Sequence, residues 1–313
     1  MTTPAYAAVD WGTSSFRLWL MDPAGRILAE RRSGEGMTSA AKMGFPQVLE
    51  SHLQAVEAPA DLPVIICGMA GARQGWIEAG YVDVPALLPA ILSGAVEVPE
   101  SYRKVHILPG LAQRAPEAPD VMRGEETQLL GAIDGSAPSG EQNVCMPGTH
   151  SKWVHLSGET VSGFSTYMTG ELFEVVSKHS VLAHSLADAD SFDGDHPVFT
   201  AAVRAAFEAP RRLTNLLFTV RSGTLLAGLT ATDAAARLSG ALIGAEMAGG
   251  LSSSGSQAAS IRLVASGRLR GLYEGAFTAV SLPFTTIDAD EAVRAGLSAA
   301  ARQILPLQLQ RTT

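Results

Sequence analysis

The sequence has little of what marks secreted, metal-clustered or nucleic-acid-binding chains. Two of its 313 residues are cysteine. Cys67 in VIICGM and Cys145 in NVCMPG sit inside apolar, strand-like runs, so neither a disulfide framework nor a metal cluster is expected and both read as core residues. No block of Lys or Arg occurs and the formal charge is −8, which argues against a phosphate-backbone partner, so no nucleic acid is expected. A small anionic ligand must then find local cations or backbone N–H groups. No run approaches the length needed to cross a bilayer, and MTTPAYAAVDWG lacks the basic segment and apolar core of a signal peptide. The expectation is a cytoplasmic protein without membrane contact. Histidines 155, 179, 184 and 196 show no metal-ligand spacing, whereas His150 lies in a turn that matters below.

What is present is length and a repeat. A chain of 313 residues has room for two domains, each with its own core, and for a cleft between them. Residues Ala5 to Val9 read as a buried strand ending at Asp10. After the turn Gly12-Thr13-Ser14-Ser15, residues Phe16, Leu18 and Leu20 alternate with Arg17, Trp19 and Met21, the pattern of a strand packed unequally on its two faces. The turn Asp22-Pro23-Ala24-Gly25 returns a third antiparallel strand through Arg26 to Glu30. The segment NVCMPGTHSKWVHLSGETVSGF repeats this: apolar run, turn, strand, turn at Ser157-Gly158, strand. Without gaps, Gly12-Thr13-x-Ser15 falls on Gly148-Thr149-x-Ser151, the kind of duplication that fixes an architecture.

The small, polar stretch from Gly135 to Gln142 is the best candidate boundary, giving expected domains at residues 1–138 and 139–313. A helix with Leu49, Leu53 and Val56 on one face precedes the strand PVIICGM, and the strand KVHIL precedes helical GEETQLLGAID. From Gly170 onward the chain reads as mainly helical. The order strand IRLVASG, helix RLRGLYEGAFTAV, strand PFTTI, helix ADEAVRAGLSAAARQI is an α/β arrangement, in which ligands bind outside the strand carboxyl ends.

Two turns rich in Gly, Thr and Ser, one in each half, offer unencumbered N–H donors and hydroxyls, which phosphate oxygens need where no Lys-rich loop exists. The plainer reading is that such residues simply turn the chain. Asp10 is either an Asx-type turn cap or a carboxylate that holds Mg²⁺ through its waters beside a bound phosphate. Met146 stands at the equivalent position, so only one half carries the acid. Glu125 and Glu126 open a helix, where the dipole favours acids; either also suits a general base acting on a hydroxyl. In the Gly-rich CGMAGARQGWIEAGY, Arg73 and Trp76 are candidates for a substrate carboxylate and its flank, with Arg123 as a second cation. Thr166, Thr169 and Glu171 lie at a strand-to-helix junction, where Thr169 also suits an N-cap.

The duplicated hairpin resembles the two phosphate motifs of the superfamily that joins sugar kinases, heat-shock chaperones and actin. More narrowly, DWGTSSFRLWLMDPAGRIL, GMAGARQGWIEAGY, MRGEETQLLGA, PGTHSKWV and TYMTGELF, in that order, resemble the 2-dehydro-3-deoxygalactonokinase family over most of the chain, from near Ala5 to near Gly275. The resemblance implies an α/β fold of two domains with duplicated ribonuclease H-like cores, each a mixed sheet flanked by helices, around an interdomain cleft. It implies an enzyme that transfers phosphate from ATP, with Mg²⁺, to the 6-hydroxyl of a keto-deoxy sugar acid in galactonate breakdown. Asp10, Gly12, Thr13 and Ser14 match the first phosphate motif and Gly148, Thr149, His150 and Ser151 the second. Gly267 in LVASGRL matches the adenosine turn, with one Gly where a pair is common. The Glu-Glu pair resembles the segment that carries a catalytic Glu in the exopolyphosphatase branch, which leaves Glu125 and Glu126 both open as the base. Arg73, Trp76, Arg123, Thr166 and Glu171 are the expected substrate contacts.

Two rival classes share the hairpins: an exopolyphosphatase-like hydrolase and a non-catalytic, actin-like nucleotide switch. The hydrolase calls for a basic channel that this sequence lacks, and the switch needs no sugar-acid pocket. The expected partners are ATP and a small sugar acid, and a homo-oligomer is compatible with the sequence.

Overall fold

The alternation in residues 16–21 settles the first element. The structure, a computed structural model that describes residues 3–99, 101–133, 140–252 and 261–305, places Phe16–Met21 as the middle strand of an antiparallel set. Tyr6–Trp11 pairs with it on one side and Ile27–Ser33 on the other. The opening strand also runs parallel to Val64–Gly68, which runs parallel to Val105–Ile107. The alternation predicts unequal faces, but the structure buries both. Phe16, Leu18 and Leu20 pack with Phe45, Val48, Leu49 and Leu53 of the helix Phe45–Ala55, while Trp19 and Met21 are just as fully buried. On that second side the Tyr6 hydroxyl donates to Ser298 Oγ of the helix Ala289–Ile304 at 2.8 Å.

The chain divides into two compact units, one of Met1–Pro138, Glu159–Ser162 and Ala289–Thr313, the other of Ser139–Gly158 and Gly163–Asp288. Residues 135–139 of the expected boundary lie outside the described residues. The C-terminal helix Ala289–Ile304 clusters with the first unit rather than with residues 139–288. Its small residues lie against the helix Glu125–Ile133, and its Ser298 reaches the first strand.

The second unit repeats the first strand for strand. Its sheet runs Thr160–Tyr167, Ser151–Ser157, Glu141–Met146, Ile261–Val264, Phe284–Ile287. The first unit's sheet runs Ile27–Ser33, Phe16–Met21, Tyr6–Trp11, Val64–Gly68, Val105–Ile107, with Val96–Glu97 added at its edge. Both orders are third, second, first, fourth, fifth, with the first strand antiparallel to the second and parallel to the fourth. The repeat is therefore a whole five-stranded core, not a hairpin alone.

The first unit also holds a three-stranded sheet of Tyr81–Asp83, Gly110–Gln113 and Asp120–Met122. Its strands are only 3 to 4 residues long, too short for periodicity to announce them. In the second unit the helices Pro197–Glu208 and Ala231–Ser252 pack a core of Phe199, Val203, Ile243 and Met247 against Tyr273 and Phe277.

Candidate active site

The turn at Gly12 is held from behind. Its own closing bond runs from the Gly12 N–H to the Ser15 carbonyl at 2.9 Å. The helix Met37–Met43 then starts against it: the Met37 N–H donates to the Gly12 carbonyl and the Thr38 N–H to the Thr13 carbonyl, at 2.9 and 3.1 Å. Only a glycine fits at the junction, because a Cβ on Gly36 would stand 2.4 Å from the Thr13 carbonyl oxygen. Thr13, Ser14 and Ser15 are left exposed, and the Ser15 hydroxyl folds back over Gly12, where a Cβ would stand 2.7 Å from its Oγ.

Asp10 stands directly across the first hairpin from Arg17 and accepts a hydrogen bond from its guanidinium. Arg17 also pairs with Asp290 in the first turn of the C-terminal helix, and Asp290 with Arg32 at 2.7 Å. Among the described residues the carboxylate of Asp10 makes no turn-cap bond; its hydrogen bond is the one from Arg17. Its other oxygen, Oδ1, faces Gly68, where a Cβ would stand 3.4 Å away. Gly68 ends the neighbouring parallel strand, and Gly124 packs on it closely enough that its own Cβ would lie 3.4 Å from the Gly68 Cα.

Gly124 leads to the two glutamates, which the structure separates. Glu126 is 2 % exposed. Its Oε2 accepts from the Gly124 N–H at 2.7 Å and its Oε1 from the Thr127 hydroxyl at 3.0 Å. Burial, and secondarily the charge of Glu125, pushes its carboxyl up to about 8. Glu125 is half-buried, and its Oε2 accepts from the Arg123 N–H at 3.0 Å. Both carboxyls thus serve their own helix start, as the dipole argument expects, but Glu126 alone is turned into the molecule. Asp10, the Gly12 turn, Gly68, Gly124 and Glu126 gather at the carboxyl ends of two parallel strands, where α/β folds place their ligands.

The substrate candidates of this unit part company. Arg73 is exposed. Trp76 is half-buried, stacked on Phe45 with centroids 6.1 Å apart and edge-on to Trp11 at 6.3 Å, so it anchors its loop on the core. The Arg123 guanidinium lies 4.4 Å over the Tyr81 ring, and its Nε and Nη1 are buried without a hydrogen-bond partner.

The second unit repeats the backing of the turn. The Glu171 N–H donates to the Thr149 carbonyl at 3.0 Å, and a Cβ on Gly170 would stand 2.6 Å from the Gly148 carbonyl oxygen. Gly148 is half-buried, and Thr149 and His150 are exposed. Ser151, expected among the phosphate contacts, is instead fully buried with its hydroxyl 3.2 Å from that of Tyr273. As the first residue of an inward-facing strand, it turns its side chain into the core. His150 and Glu171 pair with each other through Nε2 and Oε2, and Thr166 accepts from Lys152 Nζ at 2.8 Å. Gly267 opens the helix Gly267–Ala279 with φ +58°. Gly148, Thr169, Ser239, Arg268, Leu269 and Leu272 line a cavity of about 160 Å³.

Sequence reasoning passed over Arg17, Gly36, Gly68, Gly170 and the buried polar residues behind Ser151. Extended without gaps, the alignment of the two halves sets Gly34, not Gly36, opposite Gly170, so the equivalence of the two backing glycines lies in their packing.

Two like units, each opening on a hairpin whose turn is backed by a helix, make this the α/β fold of the actin-like sugar kinases and ATPases. A family model for 2-keto-3-deoxy-galactonokinase matches residues 10–300, and the chain belongs to that family. A relative from Rhizobium meliloti (strain 1021), named a probable 2-dehydro-3-deoxygalactonokinase, is 58% identical over 308 residues, 98% of this chain and 100% of that one. The 2-dehydro-3-deoxygalactonokinase of Escherichia coli (strain K12) is 34% identical over 302 residues, 96% and 99% of the two chains. A solved structure from Sinorhizobium meliloti, assigned as a 2-dehydro-3-deoxygalactonokinase, superposes with a TM-score of 0.93 at 59% identity, covering 96% of this chain and 100% of that one.

Proposed function

We propose that this chain transfers the γ-phosphoryl group of ATP to the 6-hydroxyl of 2-dehydro-3-deoxy-D-galactonate in galactonate catabolism, with the cytoplasm as its compartment. The observation that carries the reading is the pair of glycine-backed turns, of which only the first carries an acid, in a chain of this family. Phosphoryl transfer asks a protein mainly for positioning and charge stabilisation. The N–H groups and hydroxyls at Thr13 and Ser14, on the turn that Gly12 closes, and the polar groups at Gly148, Thr149 and His150 take phosphate oxygens. The cavity between Gly148 and Leu272, beside Gly267, takes the adenosine.

Asp10 fits a Mg²⁺ site. It offers a hard oxygen beside a cradle that a side chain on Gly68 would fill, and among the described residues no group of three or more His, Cys, Asp or Glu could hold a metal. One carboxylate with waters and phosphate oxygens is the donor set Mg²⁺ takes with nucleotides. Bound there, the ion would neutralise charge on the transferring phosphate. Arg17 holds Asp10 in place for it.

Glu126 is the base of this reading. The sugar's hydroxyl oxygen forms the new bond to phosphorus, the bond to the β-phosphate oxygen breaks, ADP leaves, and the hydroxyl proton passes to the ionised Glu126 carboxylate. Arg123, with unpaired donors beside Tyr81, is the better placed cation for the sugar acid's carboxylate, and Arg73 the outer one. Incubation with ATP, Mg²⁺ and the sugar acid, followed by ³¹P and ¹³C NMR of the product, tests the reading. A phosphate ester at C6 is expected; free phosphate formed without acceptor would overturn it.

A further inference from the structure

A buried polar cluster of the second unit gathers on Glu246, which lies outside the proposed site. Glu246, on the helix Ala231–Ser252, is 2 % exposed. Its Oε1 accepts from Trp153 Nε1 at 2.9 Å and its Oε2 from the Tyr273 hydroxyl at 2.7 Å. The hydroxyls of Ser151 and Thr169 also hydrogen-bond to it. Burying a carboxyl costs more than burying an apolar residue of similar volume, so a satisfied polar cluster here specifies an arrangement rather than adding bulk stability.

The arrangement is legible from where the partners lie. Ser151 closes the second phosphate turn, and Trp153 lies two residues along the same strand. Thr169 begins the helix whose Gly170 and Glu171 back that turn. Tyr273 belongs to the helix that Gly267 opens. Thr169 and Tyr273 also line the cavity beside Gly148. One side chain thus ties together three elements that meet the nucleotide in the reading above.

We propose that Glu246 is a positioning residue for ATP, fixing the second phosphate turn, its backing helix and the Gly267 helix in one register without itself touching the nucleotide. The proposal rests on the reading of the Gly148 turn as a phosphate site. Glu246→Leu keeps most of the volume and strands four donors. Glu246→Gln keeps an acceptor for Trp153, and its amide can donate to the Tyr273 oxygen, freeing that hydroxyl for Ser151.

The test compares KM for ATP and for the sugar acid, with ADP affinity by calorimetry, in Glu246→Leu, Glu246→Gln, Tyr273→Phe and Gly148→Asp. Displacements of this kind cost on the order of tenfold or more, so Glu246→Leu is expected to raise the ATP KM by about that factor with the sugar-acid KM held within about twofold. Glu246→Gln should restore the ATP KM, and the isosteric Tyr273→Phe should raise it a few-fold even if Glu246→Leu does not fold. An unchanged ATP KM in Tyr273→Phe, or equal shifts for both substrates in Glu246→Leu, overturns the proposal. Gly148→Asp places an anion on the turn itself. If it lowers ADP affinity while Glu246→Leu and Tyr273→Phe do not, the positioning role alone fails; if it leaves ADP affinity intact, the phosphate reading of the turn fails with it.

Discussion

Gly36 lies directly against Thr13: a Cβ on it would stand 2.4 Å from the Thr13 carbonyl oxygen and 2.5 Å from the Ser14 and Ser15 nitrogens. Gly170 stands in the same relation to Gly148 and Thr149. In both halves the backbone proposed to meet phosphate is braced by the start of a helix that only a glycine lets approach. Gly36→Ala and Gly170→Ala should each force that helix off its turn. Overpacking of this kind costs roughly 1–3 kcal/mol. The expected result is a raised ATP KM and a Tm lowered by a few degrees, with little change in the sugar-acid KM; kinetics with each substrate varied separately check it.

Asp10 takes one hydrogen bond, from Arg17, and leaves Oδ1 beside Gly68. Asp10→Asn keeps the shape and removes the charge. It should lower kcat by roughly 10²–10³ or more, the scale of losing a charge-stabilising group, while the far-UV circular dichroism is unchanged. Near-normal turnover would remove Asp10 from the chemistry.

Glu126 carries the pH dependence. In the folded chain burial holds its proton up to about 8, whereas the unfolded carboxyl releases it near 4.5. Between those values the native state binds more protons than the unfolded one, so this group's contribution to stability is full below the lower value and is lost as pH rises through the upper one. Glu126→Gln should flatten that part of the fall in Tm between about pH 5 and about pH 9. In its proposed role as base Glu126 must be ionised, so kcat/KM for the sugar acid should climb toward pH 8, and Glu126→Gln should cost roughly 10²–10⁴ in kcat.

Arg123 and Arg73 are separable. Arg123→Ala removes the half-buried guanidinium over Tyr81 and should raise the sugar-acid KM by roughly tenfold or more, as expected for a charged hydrogen bond. Arg73→Ala, at an exposed site, should have the smaller effect. Neither should change the ATP KM; equal effects on both substrates would count against the assignment.

Much of this was legible in the residues. The duplicated Gly-Thr-x-Ser turn predicted the repeat because turn residues and period-2 alternation are local signals, and they survive in both halves. What escaped was non-local. Nothing near Ser151 says that its hydroxyl turns inward toward Tyr273, and nothing around Glu246, deep in an Ala-rich helix, distinguishes it from a surface acid. Glu125 and Glu126 are likewise equivalent as neighbours in sequence. The structure buries Glu126 and leaves Glu125 half-buried, a difference that adjacency in sequence does not carry. The C-terminal helix clusters with the first unit, packed on the helix Glu125–Ile133 and joined to Tyr6 through Ser298, a contact 292 residues apart in sequence.

The central claim is that the two turns and Asp10 serve ATP-dependent phosphorylation of a specific sugar acid. A coupled assay of ADP release, run with no acceptor, with 2-dehydro-3-deoxy-D-galactonate and with its gluconate-derived epimer, tests it most directly. Saturable release that requires the galactonate-derived acid, and exceeds that with the epimer, is the predicted result. Release independent of any acceptor, or ATP binding without turnover on either acid, would contradict it.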